Sequence, residues 1–200
     1  MLAAWLLLLV SQVVRLVRLR IRLGRLLQHA EAATGEVANV LHETAECLGL
    51  KCVPRIVLVD PDCSPFVCGI LRPVIVLPKN LLASLDDARM RQVLLHELAH
   101  VKRLDLMWGW IPELARIVYF FHPAVHWVNY RIRLERELCC DQLAMAYSGQ
   151  DAAAYARTLV EVVSHTSVPP VLRTAAATSA GLDGSELHIL EGKQDRETES

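Results

Sequence analysis

The chain has 200 residues, a formal net charge of -1, 53% hydrophobic residues and a mean hydropathy of +0.30. That length suits one domain with a sizeable core plus appendages and leaves little room for a second full domain. No glycine-rich phosphate loop and no basic-aromatic patch points to nucleotide or nucleic acid, whereas the high apolar content points to contact with a membrane.

Met1 to Val14 is apolar apart from Ser11 and Gln12. As a helix it reaches only about 21 Å, short of a hydrocarbon core of roughly 30 Å. Arg15, Arg18, Arg20, Arg22 and Arg25 come directly after it. A signal peptide would carry its charge before the apolar run and a small-residue cleavage site after it. Residues 1–24 therefore read as a membrane anchor or truncated transmembrane helix with a basic flank. An amphipathic interfacial helix is the alternative. The arginines favour a cytoplasmic location for the rest of the chain.

From Arg25 to about Leu48 apolar residues recur at three- and four-residue steps, predicting that the helix continues with a break near Gly35 and an end at Gly49. Arg55 to Val59, Phe66 to Cys68 and Pro73 to Leu77 are strand candidates, punctuated by Asp60-Pro61-Asp62 and Gly69. Ser84 with Asp87 resembles a capping box, so the next helix is expected to begin near Leu85. A further helix runs from Asp105, read as its cap, to Phe121 with a kink at Pro112. Its only charges are Glu113 and Arg116, so it is either core or pressed against a bilayer, and core is the reading adopted. Pro123 opens a third helix that reaches about Tyr147. Residues 25–167 make up the expected catalytic domain; 168–200, with Pro169-Pro170 and a polar end, read as linker and mobile tail.

Six cysteines are present. Cys47, Cys52, Cys63 and Cys68 can be drawn as a zinc site, but their spacing is not that of a zinc knuckle, and buried packing thiols are the plainer reading. Cys139 and Cys140 likewise look like packing residues.

The chemistry centres on His96-Glu97-Leu98-Ala99-His100. Histidines four apart share one helix face, the H-E-x-x-H arrangement in which two imidazoles hold zinc and the glutamate acts as base. A catalytic zinc normally takes a third protein ligand. The metzincin extension fails, because positions 103 and 106 hold Arg103 and Leu106. Asp105, on a continuous helix, would lie about 180° from His96. Glu137 and Asp141, four apart on the third helix, supply a ligand and a carboxylate able to receive the N–H of a ligating histidine. His126 lies about 16 Å along that helix from Glu137, too far to share the ion. Tyr130 and Arg133 are candidates for oxyanion or substrate contact; an ion pair with Arg133 is the bland reading of Glu137. The expected fold class is α+β, a mainly helical gluzincin-type metallopeptidase with a small sheet before the motif helix and an N-terminal membrane-associated helix.

The stretch from about Cys63 to Met145 resembles the cytoplasmic zinc metallopeptidase domain of bacterial β-lactam sensor-transducers, the antirepressor peptidase family. The resemblance is carried by Ser64-Pro65-Phe66-Val67-Cys68-Gly69, Pro73-Val74-Ile75-Val76-Leu77-Pro78, the run His96 to Asp105, Phe120-Phe121-His122-Pro123-Ala124-Val125 and Arg136-Glu137-Leu138-Cys139-Cys140-Asp141. It implies that His96, His100 and Glu137 bind one Zn2+ and that Glu97 is catalytic. It also implies that the strand Phe66, Val67, Cys68, Gly69 pairs with an extended protein substrate by β-addition. It further implies a membrane protein with this domain between transmembrane helices. Those transducers carry several membrane helices and an extracellular sensor, whereas this chain has at most one incomplete span, so neither a β-lactam signal nor a repressor substrate can be inferred. Prenyl-protein and heat-shock membrane peptidases share the same logic. A non-cleaving zinc-containing signalling or scaffold module is the competing class.

Overall fold

The computed structural model describes residues 2–60, 63–149, 153, 155–158 and 162. The expected linker and tail at 168–200 lie outside the described residues. Seven helices and four strands are present among those described: α1 (Leu2–Gln28), β1 (Glu31–Ala32), α2 (Glu36–Cys47), β2 (Arg55–Val59), β3 (Phe66–Cys68), β4 (Val74–Pro78), α3 (Lys79–Ser84), α4 (Asp87–Lys102), α5 (Asp105–Trp108), α6 (Trp110–Val118) and α7 (Pro123–Ser148). A mainly helical α+β chain with a small sheet ahead of the motif helix is what the periodicities predict.

The sheet has the order β1-β2-β4-β3, with β2 parallel to β4 and both outer strands antiparallel to their neighbours. Its central strands are apolar on both faces because both faces are covered. Ile56, Ile75 and Leu77 point to the layer formed by α2 and α4, where Leu41, Ala45, Leu94 and Leu98 meet them. Val57, Val59, Val74 and Val76 point the other way, onto Leu23, Leu26 and Leu27 of α1. The period of two in β2 and β4 thus sorts one run of valines and isoleucines into two cores.

α1 is a single 27-residue helix, but no helix among the described residues is long and apolar enough to cross a membrane. Its arginines interrupt the apolar run, and Leu19 and Leu23, one turn apart, are buried. The helix expected to continue to Leu48 is instead broken at 29–35, where Glu31 and Ala32 pair with Leu58 and Val57. α2 then ends at Gly49 as expected. With Gly49 at φ 68°, Leu50 N–H reaches Ala45 O at 2.9 Å, closing the last turn in a left-handed C-terminal cap.

Three local expectations are corrected. Ser84 does not open the motif helix; its hydroxyl donates to Leu81 O at the end of α3, and Asp86 caps α4 by accepting from Arg89 N–H at 2.8 Å. The helix expected from Asp105 to Phe121 is two helices meeting at Gly109, and Pro112 sits in the first turn of α6, where a missing N–H costs nothing. A Cβ at Gly109 would meet Asp105 O at 2.9 Å and the Arg136 guanidinium at 3.3 Å, so glycine allows α7 its close approach. Third, α6 is not core. Ile111, Leu114 and Val118 are exposed, while Glu113 and Arg116 are buried together with a single isoleucine, Ile117. Periodicity locates a face but does not say which face turns inward.

Candidate metal centre

α4 lies along α7, and the contact is built from two matched stripes. On α7, Glu137, Cys140, Asp141 and Ala144 recur at helical spacing, with Cys140 and Ala144 fully buried. On α4, His96 and His100 face them across the gap. The Nε2 of His96 is 3.3 Å from Glu137 Oε2, and the Nε2 of His100 is 3.8 Å from the same oxygen. The two imidazoles stand edge to face with centroids 5.1 Å apart.

Each ring is held from behind. His96 Nδ1 donates to Asp141 Oδ1 at 2.9 Å, and the Tyr155 hydroxyl donates to the same oxygen at 2.8 Å. His100 Nδ1 donates to Asp105 Oδ2 at 3.0 Å, and the Cys140 thiol donates to that oxygen at 3.5 Å. With both Nδ1–H groups spent on carboxylates, both Nε2 atoms are turned toward Glu137.

Asp105 is the principal surprise. It is not the side-chain cap of α5. α4 stops at Lys102, Leu104 takes the left-handed conformation (φ 58°, ψ 33°), and the chain doubles back so that Asp105 meets His100. Excluding Asp105 requires one continuous helix; a residue with positive φ reverses the geometry. Tyr155 carries no signal in the sequence either. It lies beyond α7 with no motif around it, and only its burial and its bond to Asp141 mark it. Cys140 is a packing residue as expected and also part of the hydrogen-bonded cluster.

The electrostatics are set by burial and contact. Burial pushes the Glu97 carboxyl above its usual range, against the pull of His96 and His100, and Glu137 adds to the rise. For His96, burial would lower the pKa, but the bonds to Asp141 and Glu137 outweigh it and raise it to about 10. Burial would raise Glu137 and Asp141, yet their bonds to His96 hold both below the ordinary carboxylate range. Asp105 is likewise lowered, burial being overcome by His100. Burial and Asp105 together push the Cys140 thiol far up, so it stays protonated.

Among the described residues, two groups of side chains lie close enough to hold an ion: His96, His100 and Glu137, and His100, Asp105 and Cys140. The first fits zinc. Its two nitrogens lie 3.3 and 3.8 Å from the one oxygen, close to the roughly 3.3–3.5 Å that separates N and O donors around a tetrahedral ion of bond length ~2.0–2.1 Å, and their outward atoms are already oriented. The second is closed by its own hydrogen bonds around a protonated thiol and a spent Nδ1–H. The cysteines drawn as an alternative site do not assemble: Cys47 and Cys52 are exposed, and Cys63 and Cys68 sit in the core under α1.

The remaining expected residues fall at the margins. β3 is an edge strand of the sheet, packed beside α4. Val67 and Cys68 are buried, with burial pushing the Cys68 thiol up to about 11, and Phe66 is half-buried. Gly69 has φ 89°, and a Cβ there would meet Arg72 O at 2.5 Å, so the turn into β4 requires glycine. Tyr130 and Arg133 lie on α7, two turns and one turn before Glu137, and Tyr130 is exposed. His126 bonds to Phe120 O at 2.7 Å, away from the two histidines.

An H-E-x-x-H helix packed against a helix carrying E-x-x-x-D is the layout of a metallopeptidase. The chain belongs to the BlaR1 peptidase M56 family, a family of metallopeptidases, whose profile matches residues 1–181. It is 42% identical over 79 residues to the regulatory protein BlaR1 of Bacillus licheniformis, covering 39% of this chain and 13% of that one. It is 29% identical over 79 residues to the methicillin resistance mecR1 protein of Staphylococcus aureus, covering 40% and 14%, and 26% identical over 101 residues to the regulatory protein BlaR1 of Staphylococcus aureus, covering 50% and 17%. The chain thus spans less than a fifth of the length of these curated relatives.

Proposed function

We propose that the chain is a membrane-associated zinc endopeptidase acting on a protein substrate in regulated proteolysis or signal transduction, with its catalytic domain on the cytoplasmic side. His96, His100 and Glu137 hold the ion and Glu97 is the general base. The observation that carries this reading is the pair of imidazoles whose Nδ1–H groups are both taken by carboxylates, so that both Nε2 atoms converge on Glu137.

Zinc, when bound, supplies a Lewis acid that polarises a carbonyl and lowers the pKa of water toward about 7. The chain's own residues do the rest. Asp141 with Tyr155 fixes His96, and Asp105 with Cys140 fixes His100. Glu97, buried and raised in pKa, takes the proton of the attacking water as the C–O bond forms. It returns that proton to the amine as the peptide C–N bond breaks. The outer edge of β3 accepts an extended peptide as an added strand and lays it beside α4. Tyr130 and Arg133, which precede Glu137 on α7, contact the rim of a substrate so aligned.

The competing reading, a zinc-containing signalling or scaffold module that does not cleave, leaves the buried Glu97 without a purpose. Two isosteric variants separate them. Glu97→Gln should keep one zinc per chain and lose peptide hydrolysis by about 10²–10⁴-fold, the usual worth of a positioned base. Glu137→Gln should lose both. Full hydrolysis by Glu97→Gln, or wild-type zinc content in Glu137→Gln, would overturn the assignment.

A further inference from the structure

α6 is inside out for a water-soluble surface helix. Its charged residues Glu113 and Arg116 are 5% and 8% exposed and pair with each other at 2.7 Å, with Asn129 of α7 buried beside them and bonded to Pro112 O at 3.1 Å. Its apolar residues Ile111 and Leu114 are 60% and 55% exposed. Trp108 of α5 and, beyond α6, Tyr119, Phe121 and Trp127 are exposed as well, the two tryptophans at 57% and 65%. A helix that pairs its charges inward and, apart from the buried Ile117, turns its large aliphatic side chains out is built for an apolar surrounding on that side.

What covers this face is indicated by α1, which packs on α6 with the Arg20 guanidinium 4.5 Å over the Trp110 ring. The first half of α1 exposes Leu7, Val10 and Val13. Its second half exposes Arg15, Arg18, Arg22 and Arg25 at three- and four-residue steps, and no acidic residue precedes Glu31. An arginine row adjoining an apolar surface rich in tryptophan and tyrosine matches the anionic headgroup and upper acyl layers of a bilayer.

We propose that the outer face of α5 and α6, with the start of α7, is a second membrane-docking surface, lying in the headgroup–acyl boundary beside α1. This rests on the membrane association proposed for the domain and deepens it. Docking through two elements fixes the domain's orientation as well as its location.

The test uses the full chain and vesicles of phosphatidylcholine with phosphatidylglycerol carrying brominated acyl chains. Variants that keep a single tryptophan, at position 5, 108 or 127, report depth by fluorescence quenching. Quenching at all three, and vesicle binding about tenfold weaker in Ile111→Gln/Leu114→Gln with zinc content and hydrolysis in detergent unchanged, is the expected result. Quenching at 5 but not at 108 or 127 would overturn the second surface and leave anchoring by α1 intact. No binding by the unmodified chain would overturn both. A dimer that dissociates in the double variant, with 108 and 127 unquenched, would assign the face to a second copy and overturn the proposal.

Discussion

Asp105 receives the Nδ1–H of His100 at 3.0 Å across the single left-handed residue, Leu104, that ends the motif helix. The same oxygen also takes the Cys140 thiol and lies 3.4 Å from Arg103 Nε. The carboxylate therefore fixes one imidazole and ties the end of α4 to α7.

Asp105 should then matter to the ion without touching it. Carboxylates behind ligating histidines are typically worth about 10–100-fold in metal affinity. Asp105→Ala is expected to weaken zinc binding within that range, read by chelator competition, with helical content preserved. Wild-type affinity in this variant would remove Asp105 from the site. Asp105→Asn, which keeps an acceptor oxygen but not the charge, should fall between the two.

The proton balance gives a second prediction. In the metal-free chain the folded pKa of His96 is raised from 6.5 to about 10. Its contribution to stability is thus complete below the unfolded value and is lost as pH rises through about 10. Glu137 and Asp141, lowered on folding, contribute above the ordinary carboxylate range and lose that contribution as pH falls. Because zinc needs the Nε2 lone pair of His96, loading near neutral pH should release about one proton from this residue. Calorimetry in buffers of different ionisation enthalpy measures that release; a zinc-binding enthalpy independent of buffer would contradict it.

The inward ion pair of α6 yields a third. Arg116→Met leaves the Glu113 carboxylate buried without its guanidinium, and breaking a buried pair in this way costs about 3–5 kcal/mol. Glu113→Gln/Arg116→Met together should cost distinctly less, since no unbalanced charge is left. Urea midpoints of the two variants test the difference; equal losses would mean that the pair matters only as packing volume.

Much of this is legible in the sequence, for identifiable reasons. β2, β3 and β4 can be placed because runs of β-branched residues are bounded by Pro, Gly and Asp. The seam of α7 can be placed because Glu137 and Asp141 lie one turn apart. What escapes prediction depends on tertiary context. The conformation of Leu104 has no signature in a leucine, so helical spacing puts Asp105 on the wrong side. Tyr155 is an ordinary aromatic until its hydroxyl is seen on Asp141. The inversion of α6 is invisible to periodicity, which treats apolar and inward as the same thing.

The two imidazoles are secured over very different stretches of chain. His100 meets its carboxylate five residues along, whereas His96 depends on partners 45 and 59 residues away. Closing the short loop is fast and nearly independent of the rest of the molecule; the long contacts exist only once α7 has come to rest on α4. One side of the cluster thus needs only neighbouring chain, whereas the other needs α7 in place. A metal that needs both should bind the finished domain far better than any half-built form, and so act as a latch on the docking of α7.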